Sequence, residues 1–157
     1  MTELGIPLVS LIKINLAKYI DDELEEQGYI IGTGYGEISV VDDWFDFDFS
    51  LPSISLEVSA EIESIESIGD IKINNYRSTI RVFGRNQLEI DQICEFLKDK
   101  FYESGIILLD YNDATPVSLG YIYCKTAAWV NNRVEKPDGS LDKIGVISMK
   151  IEVREEI

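Results

Sequence analysis

The chain contains no histidine. Without an imidazole, no Ser-His or Cys-His nucleophile pair and no histidine-ligated metal site can form. Cysteine is nearly absent too. Cys94 and Cys124 fall in different predicted elements with no paired spacing, so both read as plain buried thiols rather than a disulfide framework or a zinc site. Positive charge is scarce in the first seventy residues, where 16 Asp and Glu stand against Lys13 and Lys18 alone. The remainder carries 13 acids against 12 bases, and the whole chain has a formal charge of −15. A protein that grips phosphates needs a clustered positive surface. This composition repels DNA, RNA and anionic lipid at long range. No apolar run approaches a membrane span. Residues 1–5 lack a signal-type segment, so an intracellular protein is expected.

What is present is ordinary globular material. The 157 residues, 45% apolar and 27% charged, suit one domain over 1–157 with a real hydrophobic core. A helix is predicted over 7–27. Ile12, Leu16, Tyr19, Ile20 and Leu24 recur at spacings of three and four, Pro7 suits the first turn, and Gly28 is the stop. The acids Asp21, Asp22, Glu23, Glu25 and Glu26 crowd the end of this helix and oppose its dipole. The glycine-rich stretch 32–36 has no helix start after it, so it reads as a bend rather than a phosphate cradle. In 42–49, Phe45, Phe47 and Phe49 alternate with Asp46 and Asp48. The glycine and terminal glutamate of a calcium loop are missing, so this reads as an acidic, solvent-facing strand.

Strict alternation over 53–63 marks a strand. Ile54, Leu56, Val58, Ala60 and Ile62 face the core, and Ser55, Glu57, Ser59, Glu61 and Glu63 face outward. A loop closed by Gly69 and a turn near Asn74-Asn75 lead to a strand over 77–83. Arg77, Arg81 and Arg85 concentrate the arginine here and can pair with carboxylates within the chain or across a subunit contact. Asn86 with Glu89 opens a second helix like a capping box. Its buried stripe is Ile90, Ile93, Cys94, Leu97 and Phe101. A short strand follows over 106–109, then a loop. The last third is a long hairpin with arms 119–130 and 144–153. Its 131–143 connection, centred on Pro137-Asp138-Gly139, either reaches a neighbour or is a mobile tip. The order predicts an α+β fold: a mostly antiparallel sheet, two main helices on one face, and a long C-terminal β-hairpin. The opposite face should be wet or buried against another subunit. No Walker-type loop, CxxC pair or selectively perturbed carboxylate dyad is visible, so neither an enzyme nor a cofactor is expected.

Three stretches carry a family likeness: the opening helix leading through the acidic segment to the strand at 52–58; residues 77–86 running into the second helix; and the closing strands around Ala127-Ala128-Trp129 and 147–151. In this layout the chain resembles the tail terminator, or tail completion, proteins of long-tailed bacteriophages. The resemblance implies a virion protein assembled in the host cytoplasm. It forms a homo-hexameric ring that caps the tail tube protein, ends tube polymerisation and offers a joining surface to the head-tail connector or stopper. DNA passes through its channel only as cargo. Asp46, Asp48, Glu57, Glu61 and Glu63 then become candidate channel-lining acids, since like charge keeps DNA off the wall. Arg77, Arg81 and Arg85 become candidate inter-subunit contacts, and Arg133, Glu135, Lys136, Asp138 and Lys143 a candidate partner-contact loop. The rival readings are a tail tube subunit or other neck component, and an acidic DNA-mimicking inhibitor of a host protein.

Overall fold

The computed structural model describes residues 5–28, 53–60, 66–84, 86–103, 105–112, 114–135, 139 and 141–156. Among these the elements are α1 (Leu8–Glu26), β1 (Ser53–Ala60), β2 (Glu66–Ile68), β3 (Ile71–Phe83), α2 (Gln87–Glu103), β4 (Ile106–Asp110), β5 (Val117–Glu135) and β6 (Leu141–Glu156). The strands form one sheet in the order β1-β3-β6-β5-β4, with β2 also on β3. Every pairing is antiparallel. The fold is α+β, as expected.

Helix α1 starts at Leu8. Pro7 holds an extended backbone before it, and its carbonyl accepts from the N–H groups of Ser10 and Leu11, each at 3.0 Å. Gly28, at φ +86°, ends the helix in the left-handed region that glycine tolerates. The predicted stripe is the buried one: Ile12, Leu16, Ile20 and Leu24 are completely enclosed. Helix α2 begins where Asn86 Oδ1 accepts the Glu89 N–H at 2.9 Å. Its whole predicted stripe, Ile90, Ile93, Cys94, Leu97 and Phe101, is buried. Helix α1 touches both β1 and β4, the two ends of the sheet order, while α2 lies against β5, β6 and β3. The sheet therefore curls around the helices, and its concave side holds the core.

Three expectations are corrected. Asn74 and Asn75 are mid-strand residues of β3, not a turn. β6 pairs them across one edge, and Asn74 Nδ2 donates to Glu155 Oε1 at 3.0 Å. A partner for the amide removes the reason for it to fold back on its own backbone. The turn sits at Gly69-Asp70, between the paired Ile68 and Ile71, with Gly69 at φ +59° as a tight hairpin requires. The hairpin arms also run further than 130 and 144. Pairing continues from Asn131↔Gly145 to Glu135↔Leu141, so most of the expected loop is strand. Finally, Ser55 on β1 is buried, so the face opposite Ile54 and Leu56 is not uniformly wet.

One irregularity decides which residues face the core. In β5, Cys124 pairs with Ile151 and Thr126 with Lys150, leaving Lys125 as an extra residue. This β-bulge shifts the alternation by one. Before it, Ile122 and Cys124 face the helices; after it, Ala127 and Trp129 do. Lys125 and Thr126 both point outward and are exposed.

On the β4 and β5 side of the sheet, side chains occupy open edge positions. Asn15, 5% exposed in α1, meets the edge of β4 as a strand would: its Nδ2 donates to the Leu109 carbonyl at 3.0 Å, and its Oδ1 accepts the Leu109 N–H at 3.1 Å. Tyr102 of α2 does the same for β5 beyond the reach of β4. Its hydroxyl accepts the Ala127 N–H at 2.7 Å and donates to the Ala127 carbonyl at 3.3 Å. Asn15→Ala leaves both Leu109 groups without these partners. We expect a loss of about 1–3 kcal/mol, read in urea unfolding as a lower midpoint at unchanged slope.

Candidate functional site

Helices and core fill the concave side, and among the described residues the convex face of the sheet carries a broad exposed patch. The register lays it out in rows. One row runs Ser59, Arg77, Lys150, Thr126; the next runs Glu57, Thr79, Ser148, Ala128; a third holds Arg81, Val146 and Val130. Arg77, Lys150, Thr126, Ser148, Ala128 and Val130 are exposed. Toward β4, Tyr121 pairs with Ile107, and both are exposed. Tyr121 lies 6.2 Å from the Tyr123 ring, and the Arg154 guanidinium sits 4.6 Å over Tyr123.

This face is basic on an acidic protein. Among the described residues, Arg77, Arg81, Lys125, Lys150 and Arg154 share it with the carboxylates Glu57, Glu152 and Glu156. Arg81 Nη1 lies 3.0 Å from Glu57 Oε1. Glu152 accepts from Arg154 Nε at 2.7 Å and lies 3.8 Å from Lys125 Nζ. Such half-exposed pairs contribute about 0–1 kcal/mol each. Their use is to orient charge and hydrogen-bonding groups. Beside the β1 edge, Lys13, Glu57, Val58, Ser59, Arg77 and Thr79 line a shallow polar depression of about 310 Å³.

The residues picked from sequence scatter. Glu57, Arg77 and Arg81 come together on the convex face, with Glu57 and Arg81 paired in the same chain. Arg133 and Lys143 are cross-strand partners in the hairpin, one step from Glu135. Beyond Gly145, β6 has no pairing to β3, and beyond Ile122, β5 has none to β4. The end of the hairpin is thus a two-stranded arm. Asn132 Oδ1 takes up the Arg133 N–H on that arm at 2.9 Å. Asp46, Asp48, Glu61, Glu63, Arg85, Lys136 and Asp138 lie outside the described residues.

No family model and no curated protein matches the chain. Its chemistry must be read from the groups themselves. Among the described residues no cluster of three Cys, Asp or Glu is arranged to hold a metal ion, and no helix is long and apolar enough to cross a membrane. Burial pushes the Cys94 thiol up to about 12 and the Cys124 thiol up to about 11. Neither supplies a thiolate near neutral pH. The face can bind through charge, hydrogen bonds and small apolar contacts.

Lys125, Lys150 and Arg154 were missed in the sequence reading. The signal for Lys150 and Arg154 was there: Ser148, Lys150, Glu152 and Arg154 alternate with buried Met149, Ile151 and Val153. Lys125 had no such signal, because it occupies the bulge.

The other concentrated charge is the end of α1. It has no basic residue in its last turn, and Asp22, Glu25 and Glu26 are exposed while Asp21 is buried. Burial, then Glu25 and Asp22, raise the Asp21 carboxyl above its ordinary 3.8. A carboxyl raised on folding adds stability below its unfolded value that is lost as pH climbs through the folded value. Asp21→Asn removes that loss. Its melting temperature should exceed the parent's at pH 7, and the gap should close as both are titrated to about pH 4.

Proposed function

We propose that the chain is a structural subunit of the tail terminator kind. In this reading copies close into a ring at the head-proximal end of a phage tail tube, end tube growth, and form the joining surface to the head connector. The observation that carries the proposal is a pair of built surfaces, the broad convex face and the projecting hairpin arm. A subunit that must touch a neighbour and a tube needs both. A closed ring requires a heterologous interface, with different patches of each copy in contact, and a curled sheet with unlike faces supplies unlike patches. The resemblance described above adds the hexameric count and the partners: tube protein on one side, connector or stopper on the other, and DNA as passing cargo.

The channel assignment stands as part of the same reading, now with more weight on Asp46, Asp48, Glu61 and Glu63. Glu57 is already paired with Arg81, and a paired carboxylate repels DNA less. The arm carries Arg133, Glu135 and Lys143 as contacts to tube or connector.

Light scattering with negative-stain imaging of the purified chain tests this. Closed rings of about six copies support it. Open-ended tubes point to a tube subunit, and a persistent monomer that captures a basic nucleic-acid-binding protein points to a DNA mimic. Replacing residues 133–143 with a two-residue Asn-Gly turn should leave ring formation intact. The same change should abolish stable addition of rings to preformed tubes, as seen by sedimentation of the tube fraction.

A further inference from the structure

We infer that the basic convex face of one copy seats the acidic C-terminal turns of α1 from the next copy. The inference deepens the ring reading and takes its closed geometry from it; the contact itself is argued from charge and placement. The cationic side is the row through Arg77, Lys150 and Thr126 with Lys125 beside it. Lys125 is half exposed, Arg77 and Lys150 are exposed, and Lys150 has no ion pair among the described residues. Around them Thr79, Thr126, Ala128 and Ser148 are small, so a helix can approach the sheet closely. Tyr121, Ile107 and Val130 give the face apolar margins.

The acidic side is Asp22, Glu25 and Glu26, exposed on the last turns of α1. Their position is unfavourable in the isolated chain. They face the negative end of the helix dipole, no base occupies the last turn, and after burial the charges of Glu25 and Asp22 add to what holds the Asp21 carboxyl up. A cationic partner at Glu25 and Glu26 offsets the unfavourable dipole end. One chain cannot join the two patches by itself, because α1 lies on the concave side of the sheet and the cations lie on the convex side. Two copies can, and the contact joins unlike patches head to tail.

The test uses paired charge reversals. Lys125→Glu with Lys150→Glu makes the face acidic. Glu25→Lys with Glu26→Lys makes the helix end basic and improves its fit to the dipole, so folding is retained, as circular dichroism will register. We expect the parent chain to assemble at low salt and to loosen as salt screens the contact. Each variant alone should associate at least about ten-fold more weakly. An equimolar mixture should regain the parent's mass in light scattering, since alternating copies again present opposite charges at every contact.

Variants that assemble like the parent, or a mixture that does not recover, overturn this contact while leaving the ring reading standing. A parent chain that stays monomeric at low salt and high concentration overturns both. Duplex DNA that binds the parent and is lost on Lys125→Glu with Lys150→Glu also overturns the inference, because the face would then hold nucleic acid.

Discussion

The architecture depends on α1 reaching both ends of the sheet. Among the described residues, the strand order β1-β3-β6-β5-β4 has β1 and β4 as outer strands, and an open antiparallel sheet with two outer edges invites pairing with other chains. Here a single helix contacts both. Its completely buried stripe, Ile12, Leu16, Ile20 and Leu24, drives the contact through the hydrophobic effect, at roughly 1.5–3 kcal/mol per side chain. Asn15 then fixes the register of the helix against β4 by pairing with Leu109 like a piece of backbone. Once α1 is seated, the sheet must curl. Curling makes one face concave and filled by the core, while the other is convex and exposed around Arg77, Lys150 and Thr126, with Ser55, Phe83 and Ile144 buried toward its far end.

The bulge at Lys125 is the second requirement. A hairpin as long as β5–β6 twists along its length, and unbroken alternation would carry Ala127 and Trp129 to the outside. The extra residue restores them to the helix side. There Trp129 Nε1 donates to Glu95 Oε2 at 2.6 Å, which also holds the Glu95 carboxyl below its usual range. Gly145 serves the same fit from β6. A Cβ there would strike the Cys94 sulfur and Ile90, so only glycine lets α2 settle this close. The same bulge puts Lys125 and Thr126 side by side on the convex face, so one irregularity serves packing inside and charge outside.

The helices were legible in the sequence almost to the residue, because each needs only a local 3.6-residue pattern and local punctuation: Pro7 and Gly28 for α1, Asn86 with Glu89 for α2. The fold class followed from element order. Asn74-Asn75 was misread because turn preference is a local tendency, and here pairing to β6 overrode it. The hairpin arms were drawn short because Asn131, Asn132 and Arg133 look like loop residues by composition, yet cross-strand pairing holds them extended. The convex face was the least legible. Arg77, Lys150 and Thr126 are distant in sequence and become neighbours only through strand order. Reading strand by strand suggested an outward face of acids on β1. Assembling the strands surrounds Glu57 with cations instead.

That rearrangement changes what the net charge means. A chain at −15 with its acids spread evenly would repel its own copies from every direction. Sorting the charges makes the encounter depend on orientation: an acidic helix end toward a basic sheet face attracts, whereas acid toward acid repels. In the proposed assembly, orientation-dependent attraction on a background of general repulsion would favour head-to-tail addition over random aggregation. The capped positions at Leu109, Ala127 and Arg133 act in the same direction by disfavouring strand-to-strand pairing along the β4 and β5 edge. The proposed face-to-helix contact is one that this sorting of charge favours.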